Sequence, residues 1–175
     1  MGLIDTCFSK TKLGFKDIDR IGVTIGPGSF TGVRVGMSVA RGFGLSLDLP
    51  VIGVSTLDAC EAEVTSYEGE LVSLLDAKRG ELYCQIKGEN PFASSYEELE
   101  ELFCNRQISA CGAGAEILNH TTNLELPILH KFSAPKITTV AKLASAVPEQ
   151  KAPPEPLYLR SADAKVQAGF ALERV

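Results

Sequence analysis

Residues 21–47, IGVTIGPGSFTGVRVGMSVARGFGLSL, decide how this chain folds. The β-branched residues between Ile21 and Ile25 predict a short buried strand. Gly26-Pro27-Gly28 breaks it, and Ser29 or Thr31 offers a side-chain oxygen that can cap a helix. From Phe30 to Leu47 the apolar spacing turns helical. Gly32, Gly36, Ala40 and Gly44 recur every fourth residue, so they form one side-chain-poor stripe along that helix. Its apolar and small residues spread over roughly 200° of circumference, about twice the width that a single core needs. Each interior glycine costs roughly 0.8–1 kcal/mol against alanine, so close backbone approach must compensate. Two arrangements supply it: burial in the chain's own core alone, or a helix held between its own sheet and a partner helix. The width of the arc favours the second. Arg34 and Arg41 mark a separate polar stripe and, with Asp48, argue against a membrane span.

Working outward, Leu3, Ile4, Cys7, Phe8 and Thr11 fall on one helical face, predicting a short amphipathic helix over 3–13 that stops at Gly14. After Pro50, Val51–Val54 reads as a second buried strand, and Ser55-x-x-Asp58 as a capping box opening a helix to about Val64. This α-β-α-β-α order is the mark of parallel strands with helical crossovers. The style then changes. LVSLLD and ELYCQIK read as two strands joined by a charged loop, Ala77-Lys78-Arg79-Gly80. Pro91 reads as loop, and Ser94 or Ser95 as the cap of an acidic helix, YEELEELF, with a solvated face. Ile108–Cys111 predicts a strand, and the following Gly112-Ala113-Gly114 a turn into a helix to about Leu118. Leu126–His130 and Thr138–Val147 complete the pattern as strand and helix before a Pro-rich extended segment that leads to Leu157-Tyr158-Leu159-Arg160. Two units are expected, over 1–66 and 67–175.

At 175 residues the chain is long enough for a sizeable core, and 45% apolar with 22% charged residues is a soluble globular composition. A net charge of −5 disfavours a broad nucleic-acid surface, leaving room for a local basic patch that no Lys/Arg run announces. Five cysteines without a CxxC pair read as buried reduced thiols rather than as disulfides or a zinc site. No apolar leader segment is visible, and a cytoplasmic location is the expectation. His120 and His130 lie ten apart without metal-ligand spacing, so no metal is expected. Gly26–Ser29 lacks the lysine of a P-loop and the second glycine of a nucleophile elbow; Ser29 reads as a helix cap. No nucleophile–base pair is evident, which argues against peptidase activity.

The run IGVTIGPGSFTGVRVGMSVARGFGLSLDLPVIGVSTLDA, 21–59, resembles the bacterial TsaB (YeaZ) family of tRNA threonylcarbamoyladenosine biosynthesis. Three weaker matches follow in the family's order: DAKRGELY at 76–83, GAG at 112–114 and PLYLR at 156–160. The resemblance implies an α/β, actin-like/Hsp70-like (ribonuclease-H-type) fold of two lobes. It also implies a non-catalytic scaffold that binds TsaD, the related subunit carrying the metal and the transfer chemistry. The ATPase TsaE is the second implied partner, TsaC-type enzymes supply the threonylcarbamoyl adenylate, and a homodimer forms when TsaD is absent. No resident cofactor is implied, although ATP or ADP has a place at the shared interface of the complex. Family members open with a strand meander before the first helix, whereas the resemblance here begins at that helix. An incomplete first lobe, with an unpaired sheet edge, is therefore expected. By the resemblance the partner interface comprises Leu3, Ile4, Cys7 and Phe8 on the first helix, with Gly32, Val33, Gly36, Met37, Ala40 and Gly44 on the second. The rival reading is a self-sufficient nucleotide-binding ATPase of the same fold, using Gly28, Ser29, Gly112 and Gly114.

Overall fold

The strand–turn–helix unit forms as its spacing dictates: β1 (Ile21–Gly26) runs into α2 (Phe30–Leu47) through Pro27–Ser29. In this computed structural model, residues 2–132, 134–148 and 153–160 are described. The Gly32 N–H donates to Ser29 Oγ at 3.3 Å, so Ser29 is the cap and Thr31 is not. At the other end Asp48 turns left-handed, and its N–H returns to the Gly44 carbonyl.

Before this unit lies α1 (Gly2–Thr11), and after it β2 (Val51–Ser55) pairs parallel with β1, Ile21 opposite Val51. Ser55 then caps α3 (Thr56–Glu61), which ends earlier than the apolar pattern suggests. The second sheet is mixed, in the order β5-β4-β3-β6-β7. Its strands are β3 (Glu70–Lys78), β4 (Glu81–Ile86), β5 (Phe92–Ser95), β6 (Ile108–Cys111) and β7 (Ile128–His130). Between them run α4 (Tyr96–Phe103) and α5 (Gly114–Thr121), and α6 (Ile137–Ala146) closes the order.

Two local readings change. The β3–β4 hairpin is tighter than a four-residue loop, because Lys78 and Arg79 adopt positive φ angles of 63° and 58° and let pairing run on to Lys78 opposite Glu81. Residues 92–95, read from sequence as loop and cap, form β5; the segment Phe-Ala-Ser-Ser has weak strand propensity, and its pairing to β4 supplies the difference.

The larger core lies under the second sheet, where Val72, Leu74, Leu82 and Cys84 meet Leu99 and Phe103 of α4. Among the described residues the first sheet has two strands, β1 and β2, and the Leu157 N–H meets the Ile25 carbonyl on the outer edge of β1. The sheet is sandwiched by helices. α2 covers one face, and Val140 and Ala144 of α6 pack with Ile52 and Val54 on the other. Arg20 fixes that return by donating to the carbonyls of Ala144, Ser145 and Val147, which neutralises the C-terminal end of α6. A division at residue 66 is thus crossed by α6, which follows the second sheet in sequence and packs on the first. Between the sheets sits α3, whose Leu57 and Cys60 meet Leu71, Leu75 and Cys111.

Candidate functional site

The face of α2 divides sharply. Met37, Ala40 and Gly44 are buried against the first sheet. A Cβ on Gly44 would collide with Val51 and approach the Leu49 carbonyl oxygen to 3.0 Å, so this notch is filled from within the chain. These three residues are therefore core, and their place in the sequence-derived interface is corrected: a partner helix cannot reach them. Val33 is half-buried over the Gly26–Gly28 turn, and Gly36 is half-buried, its Cβ position 3.9 Å from Val23. Gly32 is exposed, as are Val35 (58%) and Val39 (45%). At about 100° per residue Gly32, Val35 and Val39 make one outward stripe, roughly opposite the buried one. The excess apolar width is real, and its outer half carries the two valines.

α1 has no buried residue at all among those described. Leu3 is 88% exposed and Cys7 is exposed, while Ile4 and Phe8 are half-buried. The helix is held through aromatic rings, Phe8 edge-on to Phe15 at 4.8 Å and Phe15 against Phe43 at 5.5 Å. α1 and the outer stripe of α2 thus each present apolar side chains that nothing in the described chain covers.

A second feature is a cleft of about 590 Å³ between the lobes. Its walls are the Pro27–Phe30 turn, the β3–β4 hairpin tip at 76–79 and the segment 157–160. Three stretches far apart in sequence converge here. The 153–160 segment is strapped down by α2. Arg41 donates to the Pro154 carbonyl, the Arg34 Nε donates to the Tyr158 hydroxyl at 2.8 Å, and the Leu157 N–H donates to the Ile25 carbonyl at 2.8 Å. Arg160 then crosses to the hairpin, pairing with Glu81 and donating to the Lys78 carbonyl at 2.9 Å. Asp76 accepts from Lys78, and that hydrogen bond holds its carboxyl below the ordinary range. Sequence reasoning gave Arg34 and Arg41 no task beyond a polar stripe; no local signal connects them to residues more than 100 positions away.

Gly28 and Ser29 line this cleft, whereas Gly112 and Gly114 do not. The nucleotide reading of that second turn is corrected by its hydrogen bonds. The Gly112 N–H donates to the His130 carbonyl (2.7 Å), Ala113 to Phe132 (3.1 Å) and Ala115 to Gly112 (3.2 Å). Those donors are occupied, and both glycines are buried against the Leu74 backbone. This turn is a packing device.

The interior carries polar groups under α3. Ser73 Oγ donates to Glu61 Oε1 at 3.1 Å, and Gln85 Nε2 to Asp58 Oδ1 at 2.7 Å. Burial pushes the Glu61 carboxyl up to about 7, against the Ser73 hydrogen bond, and Asp58 adds to the rise. Between pH 4.5 and 7 the folded chain therefore holds a proton that the unfolded chain releases, so stability falls as pH rises through that window and levels off above it. Glu61→Gln should match the parent near pH 4.5 and exceed it by about 2–3 kcal/mol at pH 8. Urea unfolding at the two pH values measures this; equal pH slopes in both proteins would refute the assignment. Burial also lifts the thiols of Cys60, Cys84 and Cys111 to about 12, leaving them protonated and unreactive, while Cys7 and Cys104 are exposed. Among the described residues no group of three His, Cys, Asp or Glu side chains could hold a metal ion, and no helix is long and apolar enough to cross a membrane.

The family described as "TsaD: tRNA N6-adenosine threonylcarbamoyltransferase" matches residues 1–102. The tRNA threonylcarbamoyladenosine biosynthesis protein TsaB of Bacillus subtilis is 40% identical over 68 residues, 39% of this chain and 30% of that protein. An uncharacterised protein of Mycobacterium leprae is 32% identical over 162 residues, 88% of this chain and 41% of its own length. The chain thus spans less than half the length of both relatives. The crystal structure of an uncharacterised Pseudomonas aeruginosa protein with similarity to peptidase YEAZ superposes with a TM-score of 0.72. It is 20% identical and covers 90% of this chain and 81% of that one, a likeness of fold.

Proposed function

Since this chain belongs to the TsaB/YeaZ family, we propose that it is a non-catalytic partner subunit that binds and supports a TsaD-type protein in threonylcarbamoyladenosine modification of tRNA. The observation that carries this reading is the uncovered apolar face of α1 and the outer stripe of α2, Leu3 with Val35 and Val39. Burying such a face against two helices of a related subunit gains about 25 cal/mol for each Å² removed from water. A parallel role for a second copy of the chain follows when the TsaD-type protein is absent. A TsaE-type ATPase is the further partner in this scheme, and ATP or ADP would enter at the shared interface, not as a resident cofactor of this subunit.

The test is co-purification with the TsaD-type protein of the same organism, followed by reconstitution of tRNA modification with and without this chain. Modification at full rate without it would end the proposal. The ATPase alternative draws on the cleft beside Gly28 and Ser29. Calorimetry of the isolated chain with ATP and magnesium separates the two, because the scaffold reading expects no turnover.

A further inference from the structure

The short helix α3 is shared between two cores. Its Ala59 packs with Ile52, Val54, Val140 and Ala144 of the first lobe, whereas Leu57 and Cys60 meet Leu71, Leu75 and Cys111 on the second sheet. On that second side the helix also carries a carboxyl group. Glu61, Ser73 and Gln85 are all buried, and Ser73 stands directly opposite Gln85 across the β3–β4 pair, so both side chains share the face under α3. Ser73 donates to Glu61 and Gln85 Nε2 to Asp58, which leaves Gln85 Oε1 a buried acceptor without a donor among the described residues. A neutral Glu61 brings the O–H that this cluster is short of. An ionised Glu61 adds a second acceptor-only group beside Asp58, in a place that water does not reach.

We propose that α3 is a proton-controlled hinge between the lobes: with Glu61 neutral the helix stays seated on the second sheet, and ionisation frees it to lift from Ser73 and Gln85 while Ala59 keeps it on the first. Burial is the largest influence on Glu61 and lifts its carboxyl to about 7, with Asp58 acting the same way and Ser73 and Lys87 against it. Just beyond the helix stands Glu63, whose carboxylate has His130 Nε2 at 3.6 Å and Lys136 Nζ at 3.8 Å. The groups nearby on β4 and β6 are the thiols of Cys84 and Cys111, both held protonated by burial. Lifting the helix puts Glu61 in water and releases its proton. The open fraction therefore rises about tenfold per pH unit as pH approaches 7 from below, and levels off above it. Such opening is local, because one helix face separates and the larger core stays closed. β3 runs on from Ser73 to the hairpin tip that walls the cleft, so this joint also sets how the cleft walls face each other.

The cysteines supply the test. Cys60 and Cys111 lie beneath α3, and Cys84 lies on the opposite face of the sheet against α4. The full chain is labelled with a neutral pyridyl disulfide and each cysteine is followed by mass spectrometry. Dividing each rate by that of the urea-unfolded chain at the same pH removes the thiol's own titration. Cys60 and Cys111 should label at least about tenfold faster than Cys84, which is reached by wider unfolding. The corrected Cys60 rate should rise roughly thirtyfold from pH 5.5 to 7 and then flatten, whereas in Glu61→Gln it should not change with pH. A thermal melt checks that Glu61→Gln is folded. If it is not, Asp58→Asn at an exposed position serves: it keeps an acceptor for Gln85 and removes a charge that raises Glu61, so the bend should move to lower pH. Cys60 labelling no faster than Cys84, a parental rate indifferent to pH, an equal rise in Glu61→Gln or an unmoved bend in Asp58→Asn would overturn the hinge.

Discussion

Replacing Val35 and Val39 together with aspartate should abolish capture of a TsaD-type partner, a loss of at least about a hundredfold, while leaving the melting temperature within a few degrees of the parent. Both side chains are largely in water already, so the folded chain loses little packing when they become polar. In a helix–helix interface the same two carboxylates would be desolvated without partners, which costs several kcal/mol. The asymmetry between a small folding effect and a large binding effect is the signature of an interface residue. Gly36→Leu is a less discriminating variant. The glycine is half-buried and faces Val23, so its replacement perturbs the sheet contact as well as any partner. Pull-down at matched concentrations, with a thermal melt of each variant, reads both quantities. Capture of the double variant at parental levels would remove α2's outer stripe from the interface.

The second large effect is on stability. Gly112→Ala should destabilise the chain by about 3–5 kcal/mol, measured by urea unfolding. Two causes act together: Gly112 has φ of +91°, and a Cβ there would collide with the Leu74 carbonyl oxygen in the middle of β3. Gly80→Ala separates them. Gly80 has a similar φ of +81° at the hairpin tip with nothing within 4 Å of its Cβ position, so only conformational strain is added, about 1–2 kcal/mol. Comparable losses at the two positions would mean that β3 yields to the extra methyl. A much larger loss at Gly112 supports its role as the spacer that lets the β6–α5 turn lie directly on the sheet. The same comparison bears on the nucleotide reading, because a turn pressed on its own sheet has no room for phosphate.

Much of the fold was legible because the signals are local. Ser29, Ser55 and Ser95 each accept from the N–H three residues on, a bond fixed by a few residues of sequence. For α4 the box closes fully, the Glu98 carboxylate accepting from the Ser95 N–H at 3.1 Å. β5 escaped because its strand character comes from β4, and the hairpin's true length because two residues with side chains took the left-handed conformation. The exposed apolar face of α2 was half legible. Helical periodicity revealed too much apolar width on α2, yet periodicity is symmetric and does not say which edge of that arc meets the sheet.

By itself, then, the sequence determined the strand–turn–helix unit, the order of elements, their caps and the surplus apolar face, since each follows from steric and hydrophobic patterns within about twenty residues. Only the tertiary structure decided that Met37, Ala40 and Gly44 face inward while Val35 and Val39 face out, that the Gly112 turn is packing, and that a cleft exists. Those outcomes rest on contacts between distant parts of the chain: Arg34 bonds Tyr158 across 124 positions and Arg41 bonds Pro154 across 113. Such pairings form only when whole elements dock, and no local pattern of side chains encodes which of them will meet.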